Sequence, residues 1–189
     1  MMKILGIVGS PRPGGNTERL TKMALNEISG EGIEVELISL AGKKIEPCRG
    51  CSACRKTGEC VIKDDFAAIY DKMCAAEGFI LASPVYFGAA TPQISALISR
   101  CFVNRGKDKR AFDNKVGGPI VVARRAGKNF TFAQLLLFFM IQGMIVPGSS
   151  YWNVAIGRDI GDVENDTEGV ETVRNFARKL AWLAKKVNA

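Results

Sequence analysis

Short apolar runs alternate with amphipathic stretches along the whole chain. Residues 3–9, K-I-L-G-I-V-G, are apolar without alternation, the pattern of a strand buried on both faces. A loop of breakers and hydroxyl or amide side chains follows, Ser10-Pro11-Arg12-Pro13-Gly14-Gly15-Asn16-Thr17. Leu20, Met23, Ala24 and Ile28 then recur at helical spacing, closed by Gly30 and Gly32. Residues 33–40 alternate as a half-buried strand, and Asp64 and Asp65 predict the cap of a helix with Phe66, Ile69, Tyr70 and Met73 on one face. A third strand is predicted at 78–82, stopped by Ser83-Pro84, and Thr91-Pro92 opens a helix with Ile94, Leu97, Ile98 and Cys101 inward. Residues 115–123 predict a fourth strand and 144–147 a short fifth. The helix between them, 132–142, is apolar on nearly every side and belongs in the core or in a subunit contact. A last helix from about Asp166 repeats Val170, Val173, Phe176 or Ala177, Leu180 and Leu183, with Glu168 and Glu171 early and Lys185 and Lys186 late, matching the helix dipole.

This order predicts an α/β fold: a doubly wound, five-stranded parallel sheet with helices on both faces, in a single domain over residues 1–189. Composition narrows the chemistry. Hydrophobic residues make up 47% and charged residues 24%, ordinary for a globular protein. The longest apolar run, 130–146, is too short and too polar for a membrane span, and Met1-Met2-Lys3 leads into a strand without a cleavage site. The expectation is a cytoplasmic protein with no membrane contact, in which the six cysteines are ligands or redox groups rather than staples. Histidine is absent, which excludes Ser-His and Cys-His nucleophilic catalysis and leaves an enzyme dependent on a cofactor or metal.

Four of the cysteines fall within residues 48–60 as C-x2-C-x2-C-x5-C, in a loop inserted at 47–61. Such a soft donor set selects zinc or an iron–sulfur cluster over hard cations. Three cysteines at consecutive x2 intervals follow the bacterial [4Fe–4S] pattern, whereas structural zinc sites pair two C-x2-C knuckles across a long gap. The x5 interval and Val61 depart from that pattern, so zinc and metal-free thiols stay open on spacing alone. Arg49, Arg55, Lys56 and Lys63 surround the cysteines and would offset thiolate charge.

The loop after the first strand sits where open α/β sheets bind anions. Backbone N–H groups of Gly14, Gly15 and Asn16, the hydroxyls of Ser10 and Thr17, and Arg12 could surround a phosphate. Neither G-x4-G-K-[ST] nor G-x-G-x-x-G is present.

Gly9-Ser10-Pro11-Arg12 with Asn16-Thr17 resembles the flavin-phosphate loop of the flavodoxin-like NAD(P)H-dependent FMN reductase superfamily. Ser83-Pro84-Val85-Tyr86-Phe87-Gly88 resembles its second flavin loop, and 124–127 its third, with Ala126-Gly127-Lys128-Asn129 in place of a Gly-Gly run. With the cysteine spacing, the chain resembles the iron–sulfur flavoprotein branch. The resemblance implies a flavodoxin-like sheet, FMN, a [4Fe–4S] cluster on Cys48, Cys51, Cys54 and Cys60, and a homodimer or homotetramer. It implies that Ser10, Arg12, Asn16 and Thr17 hold the phosphate and that Pro84, Val85, Tyr86, Phe87 and Gly88 line the ribityl chain and ring. Ala123, Arg124, Arg125 and Gly127 would close the far edge. Electrons would come from a ferredoxin-like donor or NAD(P)H and pass to a small-molecule acceptor such as dioxygen, peroxide or a quinone. The alternative is a cluster-free NAD(P)H-dependent FMN or quinone reductase.

Taken alone, Tyr86 and Phe87 could equally anchor their loop in the core. Cys74 and Cys101 are expected to be small buried hydrophobes. Arg100, Arg105, Lys107, Lys109, Arg110 and Lys115 form a basic stretch without aromatic interleaving, so a solvated face or a dock for an acidic ferredoxin is expected and nucleic acid is not.

Overall fold

The computed structural model describes residues 2–103 and 110–188. Its elements run β1 (Lys3–Val8), α1 (Asn16–Gly30), β2 (Glu34–Ser39), α2 (Cys54–Thr57), α3 (Phe66–Ala75), β3 (Gly78–Pro84), α4 (Pro92–Arg100), β4 (Val116–Ala123), α5 (Lys128–Ile141), β5 (Val154–Ile156) and α6 (Thr167–Val187), with a 3-10 turn at Asp162–Asn165. All strands pair in parallel, in the order β2-β1-β3-β4-β5. That is the flavodoxin-like order, which places a switch point between β1 and β3.

Each central strand feeds two cores, which is why it reads as a continuous apolar run. From β1, Ile4 and Val8 pack with Leu20, Ile28, Val173, Phe176 and Leu180 beneath α1 and α6. Leu5 and Ile7 face the other way, toward Phe66, Met73, Ile94, Leu97 and Phe139 of α3, α4 and α5. Thr91 caps α4 by accepting from Ile94 N at 3.5 Å, and Asp166 caps α6 by accepting from Gly169 N at 3.0 Å. Among the described residues, no helix is long and apolar enough to cross a membrane.

The fifth strand is not at 144–147. Among the described residues of that run only Ile145 bridges to the sheet through its backbone, exchanging bonds with Lys115 and Gly117 as an isolated bridge to Val116. Pro147, which has no N–H to donate, breaks the run, and β5 rejoins the edge of β4 opposite Val121–Ala123. The gap explains Pro119 inside β4. Gly117 N and Val121 N bond outward, to Ile145 and Asn153, so the position between them faces the interrupted edge and loses no ladder bond.

The helix expected in the core or in a subunit contact shows two faces, and the expectation for the basic stretch changes. Helix α5 buries Thr131, Leu135, Phe138 and Phe139, but Phe130, Leu137 and Met140 are 77, 64 and 63% exposed, so only one face belongs to the core. The basic stretch is not one solvated face. Arg100 is only 2% exposed, and Lys115 Nζ donates to the carbonyls of Cys74 and Ala76. Arg110 is exposed beside Asp113, while Arg105, Lys107 and Lys109 lie outside the described residues.

Candidate functional site

At the carboxyl ends of β1, β3 and β4 lies a cleft of about 330 Å³. Ser10, Arg12, Asn16, Thr17, Pro84, Val85, Tyr86, Ala123 and Arg124 all line it, together with Pro11, Gly15, Val122 and residues 157–160. These nine, with Gly15, were all singled out from sequence and converge from three separate loops. Phe87, Gly88, Arg125 and Gly127 do not line the cleft. Phe87 projects fully into solvent at φ +51°, and Tyr86 is partly exposed, so neither anchors its loop in the core. Gly127 has φ +87°, and a Cβ there would lie 2.9 Å from Val85 Cγ1 and 3.2 Å from Gly88 Cα. Its bare backbone lets the third loop pack onto the second.

The end of the cleft beside β1 is built by hydrogen bonds within the first loop. Ser10 Oγ accepts from Arg12 N at 3.2 Å, and Gly15 N donates to Arg12 O at 3.2 Å. Gly14 N is held by Glu18 Oε2 at 3.0 Å, so the expected donors Gly14 and Gly15 are already engaged. What remains is the start of α1. Gly15 offers no side chain to cap it, and the first-turn N–H groups point where an anion is favoured by the helix dipole. The exposed Arg12 guanidinium and the buried Thr17 hydroxyl stand beside it.

Asn16 turns away from this role. Its Nδ2 donates to Asp159 O at 2.8 Å and its Oδ1 accepts from Gly161 N at 2.8 Å, tying the 157–162 segment over the cleft. Sequence reasoning missed Gly157, Arg158, Asp159 and Ile160; the only signal was a polar, glycine-bearing stretch 141 residues beyond Asn16, with no periodicity to mark it.

About 40 Å³ of space lies between the four cysteines at the C-terminal end of α4, lined also by Val61, Ile62, Phe102 and Arg100. Cys48 and Cys51 are exposed, Cys54 and Cys60 half-buried, and all four are free thiols. Among the described residues no three His, Cys, Asp or Glu side chains stand at the mutual spacing of a metal site. The donor set nonetheless suits an iron–sulfur cluster. Four soft ligands surround one void, Gly50 N donates to Cys48 Sγ at 3.4 Å, and Arg100 Nη2 donates to Cys60 Sγ at 3.2 Å. Arg100 Nε is buried with no acceptor in the protein, a donor left over on a side chain that lines that void. The cleft suits FMN equally well, with an anion-favouring helix start at one end and Pro84, Val85 and Tyr86 at the other.

Of the remaining cysteines, Cys101 is buried with its thiol on Leu97 O, and Cys74 is half-buried. Burial raises both thiols above their ordinary value, the opposite of an activated cysteine.

Residues 2–159 match the family described as NADPH-dependent FMN reductase. The chain is similar to an iron–sulfur flavoprotein of Methanocaldococcus jannaschii, 45% identical over 98% of this chain and 99% of that protein. It is similar to one of Methanosarcina thermophila, 39% identical over 95% and 93% of the two chains. Among solved structures, RosB with bound 8-demethyl-8-formylriboflavin-5'-phosphate superposes with a TM-score of 0.80 at 18% identity, over 100% of this chain and 81% of that one, a likeness of fold. By these matches the chain belongs to the NADPH-dependent FMN reductase family, in its iron–sulfur flavoprotein branch.

Proposed function

We propose that the protein is an electron-transfer flavoprotein that holds FMN in the cleft and a [4Fe–4S] cluster on Cys48, Cys51, Cys54 and Cys60. The observation that carries the first half is the convergence of three loops on an uncapped helix start. In this reading the first turn of α1, Arg12 and the hydroxyls of Ser10 and Thr17 hold the phosphate, and Asn16 secures the 157–162 segment beside it. Pro84, Val85 and Tyr86 orient the ring and exclude water from one side, while Phe87, Gly88, Arg125 and Gly127 act from the rim. Arg124 and Ala123 bound the far edge. Bound FMN would exchange one or two electrons and the cluster one at a time. The chain has no histidine, and among the described residues Asp159 is the only carboxylate lining the cleft, so in this reading the chain positions its redox groups rather than relaying protons itself.

A one-electron carrier of the ferredoxin type is the proposed donor, with dioxygen, peroxide or a quinone as acceptor. The proposal includes a homo-oligomer. Its support is the exposed face of α5 with the neighbouring Tyr151–Trp152 pair, whose rings lie 4.8 Å apart beside a groove of about 700 Å³.

Anaerobic purification followed by flavin, iron and sulfide assays tests the reading. About four iron and four sulfide per chain, with stoichiometric FMN, are expected. FMN without iron would favour a cluster-free reductase, the second reading, which draws on the nicotinamide cofactor in the family's description. That outcome would also require NAD(P)H alone to bleach the flavin rapidly.

A further inference from the structure

Arg100 ends α4, and its guanidinium is buried against the cysteine loop. Nη1 donates to Asp64 Oδ1 at 2.8 Å, to Asp64 Oδ2 at 2.6 Å and to Glu46 O at 3.3 Å. Nη2 donates to Ile62 O at 3.0 Å and to Cys60 Sγ at 3.2 Å, while the guanidinium carbon lies 4.1 Å from the centre of the Phe66 ring. Glu46 precedes the first cysteine of the loop, and Ile62 and Asp64 follow the last. One side chain therefore closes the stem of the loop and touches one of its sulfurs. Asp64 completes the closure by accepting from Glu46 N at 2.8 Å and Phe66 N at 3.1 Å.

A buried ion pair is a poor device for stability alone, because apolar residues of the same volume do as well. An apolar replacement could pin the stem but could not donate to a thiolate. We propose that Arg100 is a positioning residue for the cluster: it fixes Cys60 and raises the potential at which the cluster accepts an electron. The inference rests on the cluster reading above. One-electron reduction adds a negative charge beside a guanidinium that is itself shielded from water. A cation and an N–H donor against a ligand sulfur favour the reduced form more than the oxidised one. Asp64 offsets part of this charge, but it sits on Nη1 while the sulfur sits on Nη2, so the cation is the nearer of the two. Arg49, Arg55, Lys56 and Lys63 are all exposed, and water screens them.

The test uses wild type, Arg100→Lys, and the doubly neutral Arg100→Gln/Asp64→Asn, which avoids leaving an unpaired buried charge. Each is purified anaerobically and assayed for iron, then titrated electrochemically with cluster and flavin followed separately. Both variants are expected to keep FMN with unchanged flavin potentials and to show a lower cluster potential than wild type. An iron-replete variant with the wild-type cluster potential overturns the assignment while leaving the cluster reading intact. Wild-type protein without iron overturns both. Should Arg100→Lys lose iron or fail to fold, the potential of the double variant decides.

Discussion

Gly9 shows how little room separates the first loop from its support. A Cβ there would fall 2.1 Å from Ile94 Cγ1 and 2.8 Å from Thr91 Oγ1, and the Thr91 hydroxyl donates to Gly9 O at 2.8 Å. Gly9→Ala is therefore expected to cost about 1–3 kcal/mol through overpacking, read as a lower melting temperature together with weaker FMN binding. Arg12 makes no such structural contact through its guanidinium, so Arg12→Ala is expected to leave melting unchanged. Its effect falls on the ligand, weakening FMN by about 1.5–3 kcal/mol in a fluorescence titration; unchanged affinity would remove Arg12 from the phosphate site. Glu18 adds a pH dependence. The Lys22 ammonium holds its carboxyl below the ordinary range, aided by the Gly14 N–H and against the effect of burial. Because the folded value is the lower one, its contribution is complete above the unfolded value and disappears as pH falls through the folded one. Glu18→Gln is expected to lower stability by about 1 kcal/mol at neutral pH and to match wild type in melts at pH below the folded value.

At the scale of elements, α4 joins the two candidate sites. Thr91 at its start holds the flavin loop, and Ser99 and Arg100 at its end hold the cysteine loop through Cys48 N and Cys60 Sγ. Nine helical residues set these anchors about 13 Å apart along the axis. Cys51→Ser removes a proposed ligand at one end without touching the other, so it is expected to abolish or disrupt the cluster and leave FMN bound; an intact cluster spectrum would reject Cys51 as a ligand. What the sequence made legible follows the range of each interaction. The cysteine spacing, the Ser10–Thr17 loop and the Thr91-Pro92 helix start are local patterns and were readable. Arg100 was not, since Asp64 and Glu46 lie 36 and 54 residues away and make a buried charge look like a surface one. Strand β5 was not readable either. The apolar run at 144–147 makes a backbone bridge to β4 only at Ile145, and the three residues that pair as β5 carry no pattern of their own.

Over the whole molecule, the sheet is covered on both faces but the outside of α5 is not. Leu137→Glu or Met140→Glu on that face is expected to convert the proposed homo-oligomer to monomer in light scattering, with FMN retained. An unchanged mass would move the interface elsewhere. Iron removal is expected to behave differently. Of the two packed cores, only the one beneath α3, α4 and α5 draws on Cys54 and Cys60, at its margin, and hydrogen bonds of Arg100, Asp64 and Ser99 hold the stem of the cysteine loop. Chelation is thus expected to bleach the cluster while leaving one cooperative melting transition, unlike the collapse of a zinc finger.

The closed stem also has a consequence for biogenesis. With its stem tied by side chains of the protein, the chain is expected to fold before inorganic sulfide reaches it, and maturation to be the loading of a prepared receptacle. Iron-free protein is then expected to take up iron and sulfide without refolding.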